Sequence, residues 1–499
     1  MSTIPYSELA TSDGFGAFLV NTIAIIGGGF CGTLTAVNLA RLSTAPLRII
    51  LINNQYPLGR GIAYGTRRPE HLLNVVARNM SAFPDLPSHF VDWLCNRSDF
   101  AHIPLADLRE QFIPRRVYGD YLQNLLFWQA QPLAGPGRVQ IDMIDDEATD
   151  VAPAGNGAQV VLKTGSRVEA DRVLLATGNL APHDMIPAGL ERDHSAYCAN
   201  PWGKWYERLP DSSEDILLLG AGLTMIDVFL TLQTLEWSGK IYTVSRTGLL
   251  PLPHFKGSDY PLFPPDNVDT LGLHSLAALM EEHCARLRGE GKNPAVIVDK
   301  LRPFTQRIWR NFSVEEKQEF SRDYRTRWNV VRHRIPPTVA AQIEKAQEQE
   351  KLRILQGRLR DARDDGGRIQ VTIDPGKGQT PHQLTVGFLV NCTGPRESLA
   401  DVPADLFRNL LERGLVSPDE LDMGIEVTPD FAAIDQQGRP SAYLFALGPL
   451  LKGTLWETTA VPELRAQTHQ VAQALLARDQ QPQSDWMQET PANIVEYYI

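Results

Sequence analysis

The chain has 499 residues, 43% of them apolar, and carries 59 acidic against 48 basic side chains, for a formal charge of −11. That acidic balance argues against a nucleic-acid binder, which needs a basic face. No apolar run approaches the ~20 residues of a membrane span, so the length predicts two or three soluble domains without a membrane or nucleic-acid partner.

Residues 1–20 lack the basic start and cleavage pattern of a signal peptide and read as an N-terminal extension. Thr22–Ile26 is then a short β-branched apolar run, the pattern of a parallel strand buried on both faces. It enters Gly27-x-Gly29-x-x-Gly32 and a segment with helical apolar spacing. In that context the glycines make the turn, admit a pyrophosphate to the backbone and pack helix on strand, with the helix N-terminus facing the phosphates. "RVLLATGN" (172–179) is a second strand ending in small residues, Thr177 and Gly178, where a cofactor can approach the backbone.

The opening pattern returns at 215–233. The strand Ile216–Leu219 meets Gly220-x-Gly222, and a helix starts near Thr224, with Met225 where a third glycine would stand. A following strand ends in Ser245-Arg246. An NAD site commonly has an acid there to receive the ribose. A hydroxyl and a guanidinium suit a 2′-phosphate instead, so NADPH is expected ahead of NADH. "LHSLAALMEEHCARLRG" puts Leu273, Leu276, Met280, Cys284 and Leu287 on one helical side and stops at Gly289. The stretches 294–310, 314–332 and 338–352 also predict helices, broken at Pro336-Pro337. "DDGGRIQVTID" returns to strand, and "FLVNCTGP" (388–395) is another strand ending at a small turn, Gly394.

Four such elements in this order predict two dinucleotide sites. The expected fold is α/β with two Rossmann-like dinucleotide-binding domains, the second inserted in the first. The first domain would comprise 21–208 and 385–475. The second would span 212–384, with a helix-rich insertion at about 270–352, and 476–499 would be a polar tail. Cys31, Cys95, Cys198, Cys284 and Cys392 form no CxxC pair, which excludes a Cys₄ metal site and a redox dithiol and suggests a reducing, cytoplasmic setting. The 11 histidines show no metal-ligand spacing.

The chain resembles the FAD/NAD(P)-binding flavoproteins whose first domain carries a GxGxAYxT element, here "GRGIAYGT" within 57–94. "PRRVYGDYL" (114–122), "SRTGLLPLPH" (245–254), "WNVVRHRIPP" (328–337) and "FALGPLLKGTLWETTAVPELRAQ" (445–467) extend the likeness over about 21–475. It implies that Gly27, Gly29 and Gly32 hold the FAD pyrophosphate. Asn53 would receive its ribose, standing where the family has an acid. Arg60, Ala63, Tyr64, Asn74, Arg115, Arg116 and Tyr121 would lie near the cofactor, with Tyr64 and Asn74 as the catalytic candidates. Gly448, Gly453 and Thr458 would close over the ring, although Pro449 replaces the usual acid. Gly220, Gly222 and Thr224 would take the nicotinamide dinucleotide.

Related activities include urate hydroxylation and N-hydroxylation of amino acids. The cofactor carries such chemistry, so no nucleophile set is required. Arg60, Arg78, Arg115 and Arg116 concentrate positive charge near the flavin, which suits an anionic, nitrogen-rich substrate such as urate reacting with O₂. An amino-acid N-hydroxylase and a reductase or oxidase without oxygen insertion are the alternatives.

Overall fold

A computed structural model describes residues 21–130, 139–187, 189–255, 257, 259–376, 378–400 and 402–477. The N-terminal extension and nearly all of the C-terminal tail lie outside them. The described chain divides into two compact units: 21–65, 76–179 and 397–477 form the first, 66–75 and 180–396 the second.

The first unit is built on a six-stranded sheet. Its strands are β1 (Asn21–Ile26), β2 (Leu47–Ile52), β3 (Val139–Ile144), β7 (Arg172–Leu175), β16 (Ala432–Ile434) and β17 (Pro440–Ala446), in the order β16-β17-β7-β1-β2-β3. All pairings are parallel except β16 with β17. Ile23–Ile26 and Val173–Leu175 are buried throughout, as apolar runs sandwiched between helices must be. Helix α1 (Phe30–Leu42) packs against α2 (Arg115–Gln129) and α4 (Val461–Leu476). A separate antiparallel sheet, β4 (Ala148–Ala154), β5 (Gly157–Leu162) and β6 (Arg167–Ala170), intervenes between β3 and β7.

The second unit repeats the plan. Its main sheet runs β11 (Leu352–Gln356), β10 (Ile241–Ser245), β9 (Ile216–Leu219), β15 (Phe388–Asn391), β8 (Tyr197–Cys198), all parallel, with α3 (Leu223–Thr234) following β9. A three-stranded antiparallel sheet, β12 (Arg358–Asp365), β13 (Arg368–Asp374) and β14 (His382–Val386), stands between β11 and β15. In chain order β9, α3, β10, β11, β12–β14 and β15 therefore correspond to β1, α1, β2, β3, β4–β6 and β7.

Three expectations change. Residues 180–208 and 385–396 belong to the second unit, because β8 and β15 hydrogen-bond alongside β9. Residues 66–75 also join it. One nitrogen of the His71 ring bonds Thr66 Oγ1 at 2.9 Å, and the other bonds Thr231 Oγ1 of α3 at 2.9 Å. The predicted helix 338–352 ends at Glu348, and the following residues form β11 and β12.

The helix-rich region is present between β10 and β11. Helix 273–289 buries Leu273, Leu276, His283 and Leu287, while Met280 and Cys284 stay half-buried. The stretch 314–332 is interrupted by a π-turn at Phe320–Tyr324, and Pro337 sits in the first turn of the last helix.

Candidate functional site

The two glycine turns share one construction. Gly27 N–H donates to the Ile52 carbonyl (2.9 Å) and Gly220 N–H to the Val244 carbonyl (2.8 Å). Both residues have left-handed backbone, with φ of +111° and +104°. A side chain at Gly27 would collide with the Ala176 carbonyl, and one at Gly220 would lie 2.5 Å from the Cys392 carbonyl. Each fingerprint turn is thus pressed against the small-residue turn of its own returning strand, Ala176-Thr177-Gly178 or Cys392-Thr393-Gly394. Gly394 accordingly serves the second turn. Gly178 and Gly394 have φ of +74° and +90° and open space where a side chain would project.

Gly29 and Gly222 are the N-caps of α1 and α3, and neither helix start receives a side-chain cap. Their free N–H groups and the helix dipole form an anion-receptive end. A methyl at Gly222 would meet nothing within 4 Å, and one at Gly29 would sit 3.5 Å from Gly61 Cα. Gly32 differs: a side chain there would overlap the Gly27 carbonyl oxygen. Gly32 is required by helix–turn packing, and the space at Gly29 and Gly222 is left for something other than protein. Met225 is fully buried and Thr224 half-buried on the first turn of α3.

Thr177 Oγ1 is buried and has no hydrogen-bond partner. Its counterpart Thr393 donates to Asn391 Oδ1 at 2.7 Å. An orphaned buried hydroxyl is costly unless a ligand satisfies it. This hydroxyl and the cradle at Gly29 fit a dinucleotide in the first unit, and the opening at Gly222 fits one in the second.

The side chains expected to touch cofactor are redistributed. Asn53 Oδ1 accepts from Gly28 N–H (3.1 Å) and its Nδ2 donates to the Tyr56 carbonyl (2.8 Å), so the amide holds the glycine loop in place. Arg60 pairs with Asp120, donates from Nε to Gln123 Oε1 at 2.9 Å and bonds the Arg116 carbonyl at 3.0 Å. It locks its loop onto α2. Ala63 and Arg116 are exposed.

Tyr64 stacks edge-on against Tyr118 with centroids 4.7 Å apart, and lies 6.2 Å from Phe30. Burial pushes its phenol well above the usual range, with Arg115 drawing it back. Tyr121 bonds His89 Nδ1 at 2.8 Å and is likewise buried. Asn74 belongs to the second unit, where its carbonyl accepts from His254 Nε2 at 2.8 Å. The two catalytic candidates therefore fall in different units.

At the first unit's closing segment, Gly448 (φ +79°) leaves room for Cys31 Sγ, whose thiol burial pushes up to about 12. Thr458 is fully buried, donates to the Gly448 carbonyl at 3.0 Å and bonds Gln467 Oε1 at 2.9 Å. Gly453 is overlain by the Asp419 carboxylate. Burial pushes that acid up to about 6, against hydrogen bonds from the Leu421 and Met423 N–H groups. These contacts make Thr458 and Gly453 part of the frame. Asp120, Gln123 and Asp419 were not singled out from sequence, because nothing local marks a carboxylate as the partner of an arginine 60 residues away or of a glycine.

In the second unit Ser245 Oγ accepts from Gly248 N–H at 3.0 Å, ordering the loop after β10. The exposed Arg246 guanidinium makes no hydrogen bond or ion pair among the described residues. Those residues also contain no group of three metal-ligating side chains, and none of their helices is long and apolar enough to cross a membrane.

Residues 24–180 match a family model described as FAD-NAD(P)-binding. No curated protein sequence matches the chain significantly. Among solved structures it is similar to an ornithine N-hydroxylase of Kutzneria sp. 744 with reduced FAD, NADP+ and L-ornithine. Identity is 16%, coverage 91% of this chain and 99% of that one, and the TM-score is 0.61. The reduced form of the ornithine hydroxylase of Pseudomonas aeruginosa gives 14%, 92%, 100% and 0.62. The L-lysine 6-monooxygenase of Pseudomonas syringae gives 15%, 91%, 98% and 0.61. Residues 24–180 thus match the FAD-NAD(P)-binding family model, and the chain as a whole shares the fold of these solved structures.

Proposed function

We propose that the chain is an FAD-dependent, NAD(P)H-consuming monooxygenase that N-hydroxylates a small amine of the amino-acid or diamine type. The observation that carries this reading is the near end-to-end likeness to amine hydroxylases, with neighbours covered over 98–100% of their length, combined with two intact glycine turns. When bound, FAD supplies the redox chemistry, taking hydride from NAD(P)H and activating O₂.

The chain's own residues bind and orient. The N–H groups at the start of α1 would hold the FAD pyrophosphate, and Thr177 Oγ1 would donate to the same cofactor. Gly222 and the start of α3 would receive the nicotinamide dinucleotide. The aromatic cluster of buried Phe30 and Tyr118 with half-buried Tyr64 supplies an apolar wall at the first of these turns.

The urate expectation loses part of its physical support. Arg60 is paired with Asp120, and Arg78 Nε lies 2.7 Å from Glu110. Two of the four arginines offered as an anion pocket are therefore matched by carboxylates. The purified protein should oxidise NADPH slowly and release peroxide when alone. An amine substrate such as L-ornithine, L-lysine or cadaverine should speed oxidation and suppress peroxide. Acceleration by urate and by none of the amines would overturn the reading.

A further inference from the structure

The internal repeat aligns the two units residue by residue where dinucleotide riboses lie, at the carboxyl ends of the second and third strands. The Ile52 and Val244 carbonyls each accept the N–H of the first fingerprint glycine, so Asn53 corresponds to Ser245 and Asn54 to Arg246. Across the sheet Ile52 pairs with Ile144 and Val244 with Leu355. Counting on from those pairs, Glu147 corresponds to Arg358.

In the first unit these positions meet: Asn54 Nδ2 donates to Glu147 Oε2 at 3.3 Å, and Lys163 Nζ lies 2.8 Å from the same oxygen. In the second unit both positions are arginine. The chain reaches Arg358 directly from the sheet, since Gly357 N–H donates to the Ser245 carbonyl at 2.9 Å. Arg358 is exposed, and its guanidinium makes no ion pair or hydrogen bond among the described residues. The residue opposite it on β13, Asp374, accepts from Gly376 N–H at 2.8 Å instead.

We propose that Arg358 is a second ligand of the NADPH 2′-phosphate, acting with Arg246 at the carboxyl end of β10. The inference rests on reading the Gly220 turn as the nicotinamide-dinucleotide site. An acid beside an amide can accept from the two hydroxyls of a ribose. Two guanidiniums in the same places reject that neutral role and match a phosphate carrying close to two negative charges. The second unit therefore selects NADPH by a pair of charges, one from the turn after β10 and one from the start of β12.

The test is calorimetric binding of 2′,5′-ADP and 5′-AMP to the full-length holoprotein, a readout independent of turnover. Wild type is expected to bind 2′,5′-ADP at least about tenfold more tightly, the scale of one charge-assisted hydrogen bond. Arg358→Ala should lose about tenfold for 2′,5′-ADP and nothing for 5′-AMP, and Arg358→Lys should recover part of the loss. Arg360→Ala, two residues further along β12, should change neither.

Unchanged 2′,5′-ADP binding in Arg358→Ala would overturn the proposal. Equal losses from Arg358→Ala and Arg360→Ala would also do so, by showing a diffuse field in place of a contact. If wild type binds both nucleotides equally, the clamp fails and the dinucleotide reading stands. If it binds neither, that reading fails and the clamp with it.

Discussion

Replacing Gly29 by alanine separates a glycine needed by a ligand from one needed by the fold. Gly29 has φ of −79°, which alanine adopts without strain, and the added methyl would sit 3.5 Å from Gly61 Cα, an ordinary contact. The apo fold should therefore keep its stability, or gain up to about 1 kcal/mol from a less flexible unfolded chain. The same change at Gly32 drives the methyl into the Gly27 carbonyl oxygen, backbone against backbone, which costs at least about 1–3 kcal/mol.

If Gly29 gives the pyrophosphate its approach, the alanine methyl displaces one or two charge-assisted hydrogen bonds. Each is worth about 1.5–3 kcal/mol, or roughly ten- to more than a hundredfold in FAD affinity. The assay is fluorescence titration of deflavinated protein with FAD, alongside thermal unfolding of the apo forms. Gly29→Ala should bind FAD at least about tenfold more weakly with an unchanged apo melting temperature, and Gly32→Ala should melt lower. Wild-type FAD affinity in Gly29→Ala would refute the assignment of the turn.

Gly222→Ala, whose methyl meets nothing, should weaken NADPH binding in a flavin-reduction titration and leave the melting temperature unmoved. Thr177→Val removes an orphaned buried hydroxyl, so the apo protein should be as stable as wild type or more so while FAD affinity falls. Arg60→Ala should lower the melting temperature by an amount equivalent to about 1–2 kcal/mol, because it frees the loop from α2 and leaves Asp120 with Arg97 as its one remaining arginine partner.

Stability should also respond to two buried groups of opposite sign. Burial lowers His254 to about 4, so its contribution is complete above the unfolded value near 6.5 and declines by roughly 3 kcal/mol as pH falls to 4. Asp419 is raised to about 6, so protonation below that pH stabilises the fold until the unfolded acid also protonates near 3.8. His254→Gln should flatten the loss between pH 6.5 and 4 in unfolding measured against pH, and an identical profile would contradict the assignment.

Both glycine turns were legible because their signal is local: a buried strand, a tight turn and a helix within 20 residues. The boundaries at 208 and 385 were not, since whether "FLVN" joins the first or the second sheet depends on its pairing with Ile216–Leu219, about 170 residues earlier. β12, "RLRDARDD", carries charges on both faces and buries only Ala362 fully, so it shows no apolar alternation to read. At the site, Asn53 and Arg60 have the chemistry to touch a cofactor, and only the structure shows that Gly28, Tyr56, Asp120 and Gln123 engage them first. Residue type announces capacity, and competition from neighbouring polar groups decides its use.

The proposed reaction is oxygen insertion into an amine by a flavin that NADPH reduces. The direct measurement is mass spectrometry of products formed from L-ornithine, L-lysine and cadaverine under labelled O₂, with NADPH and the FAD-loaded protein. One labelled oxygen atom on the nitrogen of at least one amine, formed in proportion to NADPH consumed, is the predicted result. Stoichiometric peroxide with every amine recovered unlabelled would contradict it and leave an NAD(P)H oxidase.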